Sequence, residues 1–283
     1  MKKIKSKISF LEARSSKLVL KKSLGQHFLH NAHYLRKVAD AADITRGEVV
    51  VEVGPGDGAL TEKLLAFSCQ VIGIEKDARL IPVLKEKFRK EILAGQLILV
   101  EGDILQFDPS DWKLKAHRYK LVGNIPYYIT GALLKKFLSG KVQPSTLVFL
   151  MQKEVAQRIV RAKKESILSL SVKAYGESAY VASVPRGAFT PPPKVDSAIM
   201  RVRNISRKNF RSAAHEKKFF ELIKNGFGKK RKFLASNLKS LLGPQHSNIL
   251  QNVGINPRAR AEDVPLRAWL ALSKVEGLEL SKL

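Results

Sequence analysis

The chain has 283 residues, with 51 Lys and Arg against 25 Asp and Glu, a formal net charge of +26 at pH 7. Hydrophobic residues make up 45% of it, which excludes a wholly disordered chain, and the length suits about two domains, or one large domain with an appendage. The single cysteine, Cys69, excludes an internal disulfide framework and a Cys-rich zinc site, and no apolar run approaches the ~18 residues of a membrane helix.

Residues 1–20 read as a basic N-terminal extension without a secretory apolar core. Their Arg and Ser content is compatible with an organellar transit peptide; otherwise a reducing, cytoplasmic setting is expected. The last three residues, Ser281-Lys282-Leu283, match a peroxisomal address that short sequences meet easily by chance.

From Val49 onward, apolar runs of strand length alternate with segments of helical spacing. The strand candidates are Val49–Val53, Val71–Glu75, Leu97–Glu101, Tyr119–Gly123 and Thr146–Met151. The helical candidates between and after them are Ala59–Phe67, Asp77–Phe88, Thr130–Leu138 and Lys153–Arg161. This alternation predicts an α/β fold: a Rossmann-like, mostly parallel sheet with helices on both faces. Two more strands, Ala179–Val184 and Ser197–Val202, flank the stiff Thr190-Pro191-Pro192-Pro193 loop. Beyond Arg203, His215–Lys224, Lys230–Leu241 and Leu266–Leu272 read as short helices, giving a small C-terminal all-helical domain. The expected division is 1–20, 21–204 and 205–283.

The loop Gly54-Pro55-Gly56-Asp57-Gly58 leaves the first of these strands and opens a helix, and Glu75 ends the next strand. Glycines there allow a tight turn and close ligand approach, and a carboxylate about 20 residues on suits a ribose diol. The loop fits a dinucleotide fingerprint and the glycine loop of class I methyltransferases equally well. Asp103, at the end of the third strand with Ile104 after it, would accept a hydrogen bond from an adenine amine.

Asn124-Ile125-Pro126-Tyr127 follows the fourth strand and separates the two readings. The exocyclic amine of adenine is a poor nucleophile because its lone pair is delocalised into the ring. The Asn124 side-chain oxygen and the Ile125 carbonyl would bind its two N–H groups and favour a tetrahedral nitrogen, while Tyr127 stacks on the base. The base must leave its stack to reach such a pocket, and Phe189 is a candidate for its other face. His27, His30 and His33 are spaced by three, but no nearby Cys completes a metal site; no metal is expected.

The charge is unevenly spread. Arg201 to Ser240 holds 13 Lys and Arg against Glu216 and Glu221, including the run Lys229-Lys230-Arg231-Lys232. A second basic set runs from Lys2 to Lys22. Both suit the phosphates of a nucleic acid.

Together these residues resemble the KsgA-type ribosomal small-subunit RNA adenine dimethyltransferases. The matching pieces are Lys22-Ser23-Leu24-Gly25-Gln26-His27-Phe28-Leu29, Glu52-Val53-Gly54-Pro55-Gly56-Asp57-Gly58, Glu75, Gly102-Asp103, Asn124-Ile125-Pro126-Tyr127, Phe189 to Ser197, and Arg258-Ala259-Arg260-Ala261-Glu262. The resemblance implies a class I methyltransferase fold and S-adenosylmethionine as donor. It also implies dimethylation of two adjacent adenosines in the 3′-terminal hairpin of small-subunit rRNA, with the precursor small ribosomal subunit as partner. By position, Gln26, His27 and Leu29 lie over the donor, Gly54 and Gly56 line it, Glu75 holds its ribose, and Asp103 and Ile104 hold its adenine. Asn124 lies at the transfer point. The family often carries Asn where this chain has His27 and Tyr128. A monomeric enzyme without membrane association is expected.

The nearest alternative is an Erm-type methyltransferase of large-subunit rRNA, which would share the donor site. A non-catalytic ribosome-assembly or transcription factor of the same fold is a second alternative, opposed by the intact glycine loop and Asn124–Tyr127. A dehydrogenase would leave Asn124–Tyr127 and the charge unexplained.

Overall fold

In the computed structural model, residues 26–275 are described. The basic set from Lys2 to Lys22, the motif residues up to Gly25 and the C-terminal tripeptide lie outside them.

The strands are β1 (Phe28–Leu29), β2 (Val49–Val53), β3 (Gln70–Glu75), β4 (Leu97–Glu101), β5 (Tyr119–Asn124), β6 (Thr146–Gln152), β7 (Glu177–Val184), β8 (Phe189–Thr190) and β9 (Ser197–Arg203). Seven of them form one sheet in the order β4-β3-β2-β5-β6-β9-β7. β2 to β6 pair in parallel, while β9 runs antiparallel between β6 and β7. The parallel strands are near-continuous Val, Ile and Leu because both faces are covered. Val51, Val53, Ile72 and Ile74 enter one core cluster; Val50, Val71, Val122 and Val148 enter the other. The chain leaves β2 toward β3 and β4, then returns to β5 on β2's other side. That reversal opens a crevice at the carboxyl ends of β2 and β5.

Helices α1 (Ala32–Ala41), α2 (Ala59–Leu65), α3 (Leu80–Lys87), α4 (Arg89–Leu93), α5 (Thr130–Ser139), α6 (Lys153–Val160) and α7 (Ile167–Tyr175) connect the strands. A short antiparallel ladder joins β1 to β8. It lays the residues before α1 across the crevice, an arrangement set by two segments 160 residues apart and invisible to local patterning.

Four helices follow the sheet: α8 (Ala213–Gly226), α9 (Leu234–Leu242), α10 (His246–Asn252) and α11 (Leu266–Ser273). Trp269, Phe219, Leu222, Leu234 and Leu238 form their fully buried core, which also takes in Leu170 and Ala174 from α7. α9 begins at Leu234 rather than Lys230, so Lys229–Lys232 sit in the turn before it. The Asp77–Phe88 segment becomes helical only at Leu80, because the Asp77 carboxylate binds the Arg79 amide and guanidinium in a turn.

Candidate active site

Four strand ends converge on one cavity of about 180 Å³. β2 supplies Gly54 and Gly56, β3 supplies Glu75 and Lys76, β4 supplies Asp103 and Ile104, and β5 supplies Asn124 to Tyr128. Gln26, His27 and Phe28 close it from above. The predicted site residues Gln26, His27, Gly54, Gly56, Glu75, Asp103, Ile104, Asn124, Ile125, Pro126 and Tyr127 therefore surround a single space.

The glycine loop is shaped by backbone that only glycine adopts freely. Gly54 and Gly56 have φ of +64° and +63°. Nothing lies within 4 Å of a side chain built on Gly54, which leaves an open cradle; on Gly56 it would meet the Phe28 ring at 2.8 Å. One glycine makes room for a ligand, the other for the segment that covers it.

Glu75 is 6% exposed. Its two oxygens accept from the Gly56 amide (2.9 Å) and the Asp77 amide (2.8 Å). Burial raises its pKa against the lowering effect of those amides. Each oxygen keeps a second lone pair for a hydroxyl donor. Asp103 accepts from the Leu105 amide at 2.9 Å and pairs with the Lys76 ammonium at 2.8 Å, which holds its carboxyl below the usual range.

Asn124 donates from Nδ2 to the His27 carbonyl at 2.8 Å. That contact fixes the amide and assigns Oδ1 as the acceptor end. The His27 ring in turn binds the Pro191 carbonyl through Nδ1 at 2.8 Å, which places the proton on Nδ1, and it stacks near Tyr127 at 6.3 Å. The Tyr127 hydroxyl shares a 2.7 Å hydrogen bond with Ser197, and burial raises its pKa. No strong base stands among these groups; their common property is fixed direction.

Leu29 and Phe189, the other two expected site residues, do not line the cavity with their side chains. Both are 4% exposed, face each other across the β1–β8 ladder and belong to the core rather than the cavity wall. The alternation of a strand is the reason: Phe28 lines the cavity, so Leu29 turns inward. The spaced histidines diverge, with His30 on Asp57 at 3.3 Å and His33 against Tyr34. Among the described residues no group of three His, Cys, Asp or Glu is arranged to hold a metal ion, and no helix is long and apolar enough to cross a membrane. Lys229, Lys230, Arg231 and Lys232 are all exposed. Reading the sequence missed Lys76, whose only local signal is that it follows Glu75, and the Ser197 partner of Tyr127, which has none.

A parallel sheet with a glycine cradle at its switch point, two carboxylates on the next strand ends and Asn-Ile-Pro-Tyr on the fourth defines a class I methyltransferase. A family model described as ribosomal RNA adenine dimethylase matches residues 18–276, and the chain belongs to that family. It is 42% identical over 259 residues to ribosomal RNA small subunit methyltransferase A of Dehalococcoides mccartyi (strain CBDB1), covering 90% of this chain and 88% of that protein. It is 35% identical over 268 residues to the protein of the same name from Rippkaea orientalis, covering 90% and 97%. Among solved structures, a dimethyladenosine transferase from Plasmodium falciparum matches with TM-score 0.75 and 27% identity over 87% of this chain and 96% of that one. The 23S rRNA methyltransferase ErmE matches with TM-score 0.73 and 28% identity, over 87% and 98%. The family's methyl donor is S-adenosylmethionine, and the open cradle at Gly54 with acceptors at Glu75 and Asp103 fits a group carrying a ribose diol and an adenine amine.

Proposed function

We propose that this chain dimethylates the exocyclic amines of two adjacent adenosines in the 3′-terminal hairpin of small-subunit rRNA, acting as a cytoplasmic monomer on the precursor subunit. The observation that carries the reading is Asn124, held through Nδ2 so that Oδ1 presents an acceptor into the cavity. Similarity of 35–42% to proteins named as small-subunit methyltransferases favours that target over large-subunit rRNA.

When bound, S-adenosylmethionine supplies a methyl group already activated on a sulfonium. Glu75 would hold its ribose hydroxyls and Asp103 its adenine amine. Ile104 would pack on the adenine ring. In the first transfer Asn124 Oδ1 and the Ile125 carbonyl would take the two N–H groups of the target amine and turn its lone pair toward the donor. In the second the one remaining N–H would engage one of them. Each transfer forms an N–C bond as the S–C bond breaks, with one amine proton released to water. Tyr127 stacks on the target base. Gln26, paired with Asp77 at 2.9 Å, and His27 close the donor site from above. Leu29 and Phe189 support that cover from behind. Lys229, Lys230, Arg231 and Lys232 bind rRNA phosphates.

The test is labelled methyl transfer to undermethylated small subunits, with large-subunit RNA in parallel and the modified nucleoside identified. Dimethyladenosine in small-subunit rRNA is expected; label in large-subunit RNA would transfer the assignment to that target. Asn124→Ala should lower kcat by about two orders of magnitude, the scale of losing one positioned acceptor, and activity within a few-fold of wild type would remove Asn124 from the transfer step.

A further inference from the structure

Tyr128 is 64% exposed, although it follows directly on a half-buried tyrosine and lines the mouth of the cavity. The two tyrosines open the same short turn, Tyr127–Ile129, and part company there. Tyr127 is anchored inward by Ser197 and His27. Nothing comparable buries Tyr128, so the turn presents one aromatic face inside the pocket and one outside it.

One ammonium group stands with the outer ring at the cavity mouth. Lys76, 56% exposed at its side chain and paired with Asp103 at 2.8 Å, lines the same cavity mouth as Tyr128 and is within electrostatic reach of its hydroxyl. An exposed aromatic ring beside an ammonium group is a combination that holds unpaired nucleotides: the ring stacks on a base and the cation faces a phosphate. An aliphatic side chain at the same place would offer the base no π-face.

We infer that Tyr128 forms a second base subsite, stacking on the unpaired purine next to the adenosine that occupies the pocket. The inference rests on the proposed reading of the site. Two adjacent adenosines cannot both enter one cavity of this size. While one base is inside, its neighbour is unstacked at the mouth, where the Tyr128 ring stands. Tyr128 is therefore a substrate-positioning residue that acts on RNA affinity rather than on the donor.

The experiment uses the full chain and undermethylated small subunits, comparing wild type with Tyr128→Ala, Tyr128→Leu, Tyr128→Phe and Tyr128→Trp. KM for subunits, kcat at saturation and calorimetric Kd for S-adenosylmethionine are read for each. Loss of one stacked base should raise KM on the order of tenfold in the Ala and Leu variants. The Phe and Trp variants should recover most of that loss, with the donor Kd unchanged throughout. An unaltered KM in Tyr128→Ala would overturn the subsite, as would a Leu variant as good as Phe, which would reduce the role to bulk. A Phe variant as poor as Ala would assign the effect to the hydroxyl near Lys76 and overturn stacking. A weakened donor Kd would place Tyr128 in the donor site instead. Wild-type enzyme that labels no subunit at all would bring down the functional reading, and the subsite with it.

Discussion

Glu52→Gln isolates a buried acid beneath the glycine loop. Glu52 is 1% exposed; its Oε2 accepts from the Thr61 hydroxyl at 2.6 Å, and its Oε1 has no hydrogen-bond partner. Burial pushes its pKa from 4.5 up to about 8, opposed by the Thr61 hydrogen bond and aided by the negative Glu75 and Asp57. The unfolded chain releases this proton near 4.5 and the folded chain near 8. Between those values only the folded state holds it, so stability falls as pH rises through that window and levels off above it. At about 1.4 kcal/mol for each tenfold change in proton affinity, the whole window amounts to roughly 5 kcal/mol. Gln keeps a neutral acceptor for Thr61 and has no proton to lose. Urea unfolding from pH 5 to 9 should therefore show wild type losing several kcal/mol relative to Glu52→Gln, on the order of 10 °C in Tm for a protein of this size. Parallel pH curves for the two proteins would refute the argument, because they would mean that Glu52 is ionised at no cost or is already solvated.

Two further outcomes are expected. Gly226→Ala sets helix propensity against packing: Ala is favoured by about 1 kcal/mol in a helix, but its Cβ would fall on the Trp269 ring and within 2.9 Å of Leu234 Cδ1, both side chains fully buried. Overpacking of about 1–3 kcal/mol should win, and a rise in the urea midpoint would show that this core yields. Replacing Lys229, Lys230, Arg231 and Lys232 with Gln should weaken RNA binding and flatten the dependence of log K on log salt by about one for each phosphate no longer neutralised; an unchanged slope would mean that this exposed turn faces away from the RNA.

The parallel sheet and most of the cavity lining were legible in the sequence because their signals are local. Val49–Val53, interrupted only by Glu52, and Leu147–Met151 are apolar runs that a doubly covered strand explains, and Gly54, Glu75, Asp103 and Asn124 each sit at or just beyond a strand end that such runs mark. Their meeting at one cavity follows from parallel topology, which aligns the carboxyl ends. The run Lys229–Lys232 was likewise legible as a polyanion-binding candidate, since formal charge needs no fold to be counted.

Tertiary structure alone decided which face each covering residue presents. The two-residue ladder between β1 and β8 turns Leu29 and Phe189 into the core and leaves His27 and Phe28 over the site. The antiparallel return of β9 between β6 and β7 brings Ser197 to the Tyr127 hydroxyl, 70 residues away in the chain. The orientation of the Asn124 amide depends on a carbonyl 97 residues earlier, and the partner of Asp103 is a lysine 27 residues before it. Periodicity reports whether a residue is buried on its own element. It carries no information about a hydrogen bond whose other half arrives from a distant segment, and that is where the acceptor end of Asn124 and the separate directions of Tyr127 and Tyr128 were settled.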